Sequence, residues 1–150
     1  MFGEQGTWEG GREKAPAALS RKIAVAKLTG NHEIEMWGDG EQTRSFCHIQ
    51  DCLEGIFRLM RSDHQVPLNL GSDRMVTINE LAYMIAKIAG IDITIKHISG
   101  PMGVRGRNSD NTRLREVLKW EPQLTLEQGL EKTYPWIEAQ VAKKLDLPLP

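Results

Sequence analysis

Three polar segments carry the side chains whose types and spacing could do chemistry. GGREKAPAA at 10–18 sets Arg12 and Lys14 in a loop that runs into a helix N-terminus. Free backbone N–H groups and two cations in such a place suit an anion or a developing oxyanion. WGDGEQTRSF at 37–46 is a tight turn that presents Gln42, Thr43 and Arg44 at a strand start. GVRGRNSDN at 103–111 places Arg105 and Arg107 in a loop. A guanidinium grips phosphate oxygens in pairs, and a diphosphate takes more than one such group. Any one segment could be an ordinary polar surface loop. Three on one chain point to a small anionic ligand.

Other patterns carry less. GPMGVRG at 100–106 has glycines at 100, 103 and 106 after a strand, like a dinucleotide loop. Pro101 and the polar run RNSDN do not make the apolar helix opening that a pyrophosphate site needs. Tyr83 and Lys87 stand four apart on one helix, where a lysine can lower a phenol pKa. This is the Tyr-x-x-x-Lys spacing of short-chain dehydrogenases, but the pair is read as a partly buried tyrosine beside a solvated lysine. His32, His48, His64 and His97 are scattered without ligand spacing, so no metal site is expected. Cys47 and Cys52 cannot make a disulfide framework, which favours reduced thiols and a cytoplasmic setting.

The elements that must hold these segments alternate between helix and strand. Residues 1–14 read as a glycine-rich lead-in loop. A helix follows over 15–29, with Pro16 tolerated in its first turn and Gly30 as its stop. Alternation from Glu33 to Trp37 predicts a half-buried strand, GDG at 38–40 a turn, and 44–49 a second strand. Asp51 can cap a helix that runs to Met60 with Ile56, Leu59 and Met60 inward. Val66 to Leu70 reads as a short strand. Thr77 and Glu80 form a capping box that opens a helix ending at Gly90. Residues 91–98 alternate as a strand. Strand 66–70, helix 77–89 and strand 91–98 are expected to form a right-handed βαβ unit. Helices over 112–119 and 125–145 complete the chain, with a kink expected at Pro135 and a frayed tail over 146–150. The expected class is a small mixed α/β fold.

The chain has 150 residues, with hydrophobic types at 40%, enough for one buried core. Nineteen basic against twenty acidic residues give a net charge of −1, which excludes a polycation for nucleic acid. The balance hides two basic stretches. Residues 1–30 carry five basic and three acidic side chains, and residues 100–120 carry five and two. No apolar run approaches the roughly 18 residues of a membrane span. MFGEQGTWEGG lacks the apolar stretch of a secretory signal.

REKAPAA, WGDGEQTRSF, the DCLEGIFRLM helix, PLNLGSD, the TINELA helix and GVRGRNSDNT occur in that order. Together they resemble the C-terminal part of the GDP-mannose 3,5-epimerase family, within the extended short-chain dehydrogenase/reductase group. The likeness covers about residues 2 to 140. REKAPAA and GVRGRNSDN are specific to that family, whereas WGDG and NLGS are shared with other nucleotide-sugar epimerases and dehydratases. The resemblance implies an N-terminal Rossmann domain that holds NAD and carries the catalytic Tyr/Lys pair. NAD takes hydride from C4 of the sugar, a cysteine/lysine pair exchanges protons at C3 and C5, and the hydride returns. By the motif match, Lys14 would be the proton-exchange lysine. Glu13, Lys14, Ala15, Lys22, Gln42, Thr43, Arg44 and Arg107 would line the substrate. Cys47 and Cys52 do not match the partner cysteine's motif. The chain thus reads as a GDP-sugar-binding part without its own cofactor site, inactive alone. It is expected to meet a Rossmann half or to form a homo-oligomer. The alternative is an orphan interaction module that binds no nucleotide.

Overall fold

A computed structural model describes residues 1–100 and 103–148. Helix α1 (Ala15–Thr29) begins with Pro16 in its first turn and ends at Gly30, which sits at φ 75°. Strand β1 (Glu33–Trp37) buries Ile34 and Met36 and exposes Glu33, Glu35 and Trp37, as period-two alternation requires. A turn leads into β2 (Thr43–Ser45), then helix α2 (Ile49–Met60). Strand β3 (Met75–Thr77) runs directly into α3 (Ile78–Ala89). Thr77 and Glu80 close the expected capping box there. Strands β4 (Thr94–Ile98) and β5 (Gly106–Arg107) precede helices α4 (Thr112–Leu118) and α5 (Leu126–Leu145). A second capping box, Thr125 with Gln128, opens α5, which continues as one helix across Pro135.

The core lies where α1, α3 and α5 meet. Ile23, Leu81, Ile85, Leu130 and Ile137 are buried there. Polar links at its edge join α1 to α5: Lys27 pairs with Glu138 at 2.8 Å, and the Tyr134 hydroxyl donates to the same carboxylate at 3.0 Å. Burial and that negative neighbour raise the Tyr134 pKa far above the ordinary phenol range. Phe2 also belongs to the core, and its backbone bridges to His48. No described helix is long and apolar enough to cross a membrane.

The expected parallel pair exists, but its first strand differs. Strand β4 pairs with β1, Glu33 against Thr94 through Trp37 against Ile98. Residues 66–70 form no strand. Pro67 has no N–H for a ladder, and its carbonyl instead accepts from Arg113. The Asn69 side chain donates to the Asp110 carbonyl. The second sheet has the order β3-β2-β5, with β2 antiparallel to β3 and parallel to β5.

Helix α2 departs further from its expected form. His48 caps it, its Nδ1 accepting from the Gln50 N–H. Asp51 is buried and accepts from the Leu124 N–H at 2.8 Å, a link across 73 residues. The inward face is Asp51, Cys52 and Gly55; a Cβ on Gly55 would lie 2.4 Å from Leu70. Ile56 and Met60, expected inside, are exposed, Met60 at 78%. The apolar stripe Leu53, Ile56, Phe57 and Met60 therefore faces outward along the helix.

Candidate anion-binding site

Strand β1 and helix α1 build one wall of a shallow depression of about 290 Å³. Alternation on β1 sends Glu35 and Trp37 to its exposed face, and Trp37 is 57% exposed. Beside them stand Ala15, Ala18 and Lys22 on α1, a spacing that shares one helix face. Gln42 and Arg44, flanking the start of β2, complete the rim with Ile78 of α3.

The structure thus brings four of the sequence-predicted residues together: Ala15, Lys22, Gln42 and Arg44. Thr43 and Arg107 do not line it; they lie next to it in the second sheet, where Thr43 is in register with Gly106 and Arg44 with Arg107. Glu13 and Lys14 stand outside the depression, just before Ala15. Lys14 is the exposed N-cap of α1 and makes no side-chain cap bond. Glu35, Trp37 and Ile78 were missed; the outward positions of β1 were the available signal for the first two.

Two basic residues, Lys22 and Arg44, and one acidic residue, Glu35, line the depression. The Lys22 ammonium donates to the Glu35 carbonyl, and its pKa falls below the ordinary lysine range, chiefly from burial and next from Arg21 beside it. Arg44 donates to the carbonyls of Thr43 and Val104, which fixes its guanidinium against the 103–107 loop. The loop's arginine–carboxylate pair runs through Arg105 and Asp39, leaving Arg107 exposed on β5. Gln42 Oε1 is buried without a hydrogen-bond partner. A buried acceptor left unpaired costs about 1–3 kcal/mol, so a ligand donor there would be favoured.

Glu13 is held by Arg21 at 3.0 Å, with its side chain only 8% exposed. Its pKa lies below the usual carboxylate range, first through its backbone hydrogen bond, then through Arg21 and the Gly11 N–H, against the opposing effect of burial. A depressed folded pKa stabilises above the unfolded pKa and is lost as pH falls through the folded value. Arg21→Ala should move the Glu13 pKa upward, toward the ordinary range. A carboxyl-carbon NMR titration reads this, and an unchanged midpoint would refute the pairing.

The remaining candidates lie elsewhere. Tyr83 and Lys87 line a separate groove with Ala86, Gly90 and Ile91–Ile93, away from the depression. The glycine-spaced loop at 100–106 does not fit a nicotinamide dinucleotide. Pro101 and Met102 lie outside the described residues, and the next helix, α4, starts only at Thr112. Among the described residues no helix begins directly after this loop to meet a pyrophosphate. Among the described residues no group of three His, Cys, Asp or Glu side chains could hold a metal. Cys47 and Cys52 are free and buried; burial, and then Cys52, push the Cys47 pKa to about 11.

This layout, a helix-backed strand followed by a GDG turn and an arginine-bearing strand, matches a known class. Residues 1–71 match the NAD dependent epimerase/dehydratase family. The chain is 51% identical over 144 residues to GDP-mannose 3,5-epimerase of Arabidopsis thaliana, covering 96% of itself and 37% of that protein. GDP-mannose 3,5-epimerase 1 of Oryza sativa subsp. japonica gives the same identity and coverage. The chain thus spans little more than a third of the length of these relatives. Its fold matches UDP-glucose 4-epimerase of Thermotoga maritima with a TM-score of 0.83 at 25% identity, over 93% of this chain and 44% of that one.

Proposed function

We propose that residues 15–145 form the nucleotide-sugar-binding part of an NAD-dependent sugar epimerase, with a GDP-mannose-like ligand. One observation carries the reading most: Arg44 stands directly in register with Arg107 on neighbouring strands. Like charges placed opposite each other cost stability, and a bound diphosphate would turn that cost into a gain. Arg44 and Arg107 then clamp the diphosphate, with Lys22 beside them. Gln42 and Thr43 contact the same ligand, and Glu13, Lys14 and Ala15 meet the sugar end. The 51% identity to GDP-mannose 3,5-epimerases supports the choice of sugar nucleotide.

Lys14 is the proposed proton-exchange group, but an ammonium has nothing to exchange with until the C–H is acidified. In this family NAD supplies that acidification, and the residues described here do not fit it. The 150-residue chain by itself therefore binds without turning over. The two free thiols fit a reducing, cytoplasmic setting.

Titrating the isotope-labelled chain with GDP, GDP-mannose and NAD by NMR tests the reading. Shifts at Lys22, Gln42–Arg44 and Arg107 are expected with the first two ligands and none with NAD. A spectrum unmoved by millimolar GDP-mannose overturns the assignment.

The outward stripe on α2 favours a second reading, an oligomerising or interaction module. That reading requires self-association or partner binding through Leu53, Ile56, Phe57 and Met60. Sedimentation at tens of micromolar should show association that Phe57→Asp removes. A monomer at that concentration counts against it.

A further inference from the structure

Strand β2 receives its arginine from a turn that is itself fastened at two points. The first is the N-terminus of α3. A helix leaves its first N–H groups without partners inside the helix. Here the Ile78 N–H donates to the Gln42 carbonyl at 3.2 Å, and the Asn79 N–H to the Gly40 carbonyl at 3.1 Å. The Asn79 side chain adds two bonds from Nδ2, to the Asp39 carbonyl at 3.0 Å and to Glu41 Oε1 at 2.8 Å. Gly40, at φ 72°, leaves room for this: a Cβ there would lie 2.0 Å from Asn79 Oδ1.

The second point is the 103–107 loop. Arg105 Nη1 donates to Asp39 Oδ2 at 2.7 Å, and the Arg105 carbonyl accepts from the Thr43 N–H at 2.9 Å. Arg105 lies two residues before Arg107, and Asp39 five before Arg44. One ion pair therefore ties together the two segments that carry Arg107 and Arg44.

We propose that Asn79 and the Asp39–Arg105 pair are positioning groups, which clasp the 38–41 turn to α3 and to the 103–107 loop and so hold Arg44 and Arg107 side by side for a diphosphate. The proposal rests on the nucleotide-sugar reading above, but the clasp itself is measurable without any ligand. The Arg105 side chain is two-thirds exposed, so removing it opens no cavity in the core.

The test compares Arg105→Ala, Arg105→Lys and Asn79→Ala with the unaltered chain. Amide hydrogen exchange at Thr43 reports the loop contact, because the Arg105 backbone acceptor survives every substitution. Arg105→Ala and Asn79→Ala should speed Thr43 exchange about tenfold, with the amides of Ile85 and Leu130 unchanged. GDP affinity should fall about tenfold with it, because Arg44 and Arg107 are then no longer held side by side. Arg105→Lys keeps a cation for Asp39 and should restore most of both. A merely structural role would lower the unfolding midpoint without that rescue of GDP affinity.

Thr43 exchange unchanged in both alanine variants overturns the clasp, whatever happens to ligand. Faster Thr43 exchange with unchanged GDP affinity overturns its positioning role. If the unaltered chain binds no GDP, the nucleotide reading fails. The positioning role for a diphosphate then falls with it, and Thr43 exchange still reports separately whether the turn is clasped.

Discussion

Arg107→Ala should weaken GDP and GDP-mannose alike, by about ten- to a hundredfold. The charge-assisted contacts of a guanidinium to phosphate are worth about 1.5–3 kcal/mol, and about 1.4 kcal/mol is a factor of ten. Arg107 sits in register with Arg44, so on the proposed reading its loss leaves one arginine for the diphosphate. Lys14→Ala should hardly change GDP affinity. Lys14 stands outside the depression at the start of α1, on the side assigned to the sugar. NMR titration of both variants with both ligands gives the comparison. Equal losses of GDP affinity would overturn the division of roles, and an interaction module would show no GDP binding to lose.

Leu130→Ala should lower the unfolding free energy by about 2–5 kcal/mol, the usual range for deleting a fully buried leucine. Leu130 is fully buried on α5, among the side chains of α1 and α3. Leu145, near the end of the same helix, is 40% exposed, and its truncation should cost less than about 1 kcal/mol. Urea unfolding of the two variants separates these outcomes. Similar midpoint shifts would mean that the core does not close on α5 as described.

Much of this arrangement was legible in the residues. The extent of α1, strand 33–37 and both helices opened by threonine caps followed from local signals: Pro16, Gly30, alternation, and the Thr77–Glu80 pair. Those signals act within one turn or one strand, so the sequence shows them directly. The misread parts depend on partners far along the chain. Residues 66–70 look like a strand until Arg113 and Asp110 occupy their polar groups. Asp51 looks like a cap until the Leu124 N–H claims it. Ile56 and Met60 have core composition, yet composition does not tell which face of a helix finds a partner. Gln42 and Arg44 stood out in the turn that presents them, whereas Lys22 was identifiable only through the family resemblance. The depression that joins them to Glu35 and Trp37 needs the parallel pairing of β1 with β4, more than fifty residues away.

The packing of α1 against α5 also orders events during synthesis. Within the described residues, α1 is made well before α5, the helix it packs against most. Until residues 126–145 emerge, Ile23 and Ala24 lack much of the surface that buries them. Between the synthesis of α1 and that of α5 the nascent chain therefore carries an uncovered greasy face, while chaperone capture competes with aggregation. A stop codon placed just before α5 should yield a polypeptide that chaperones and proteases remove, even with Lys22, Gln42, Arg44 and Arg107 intact.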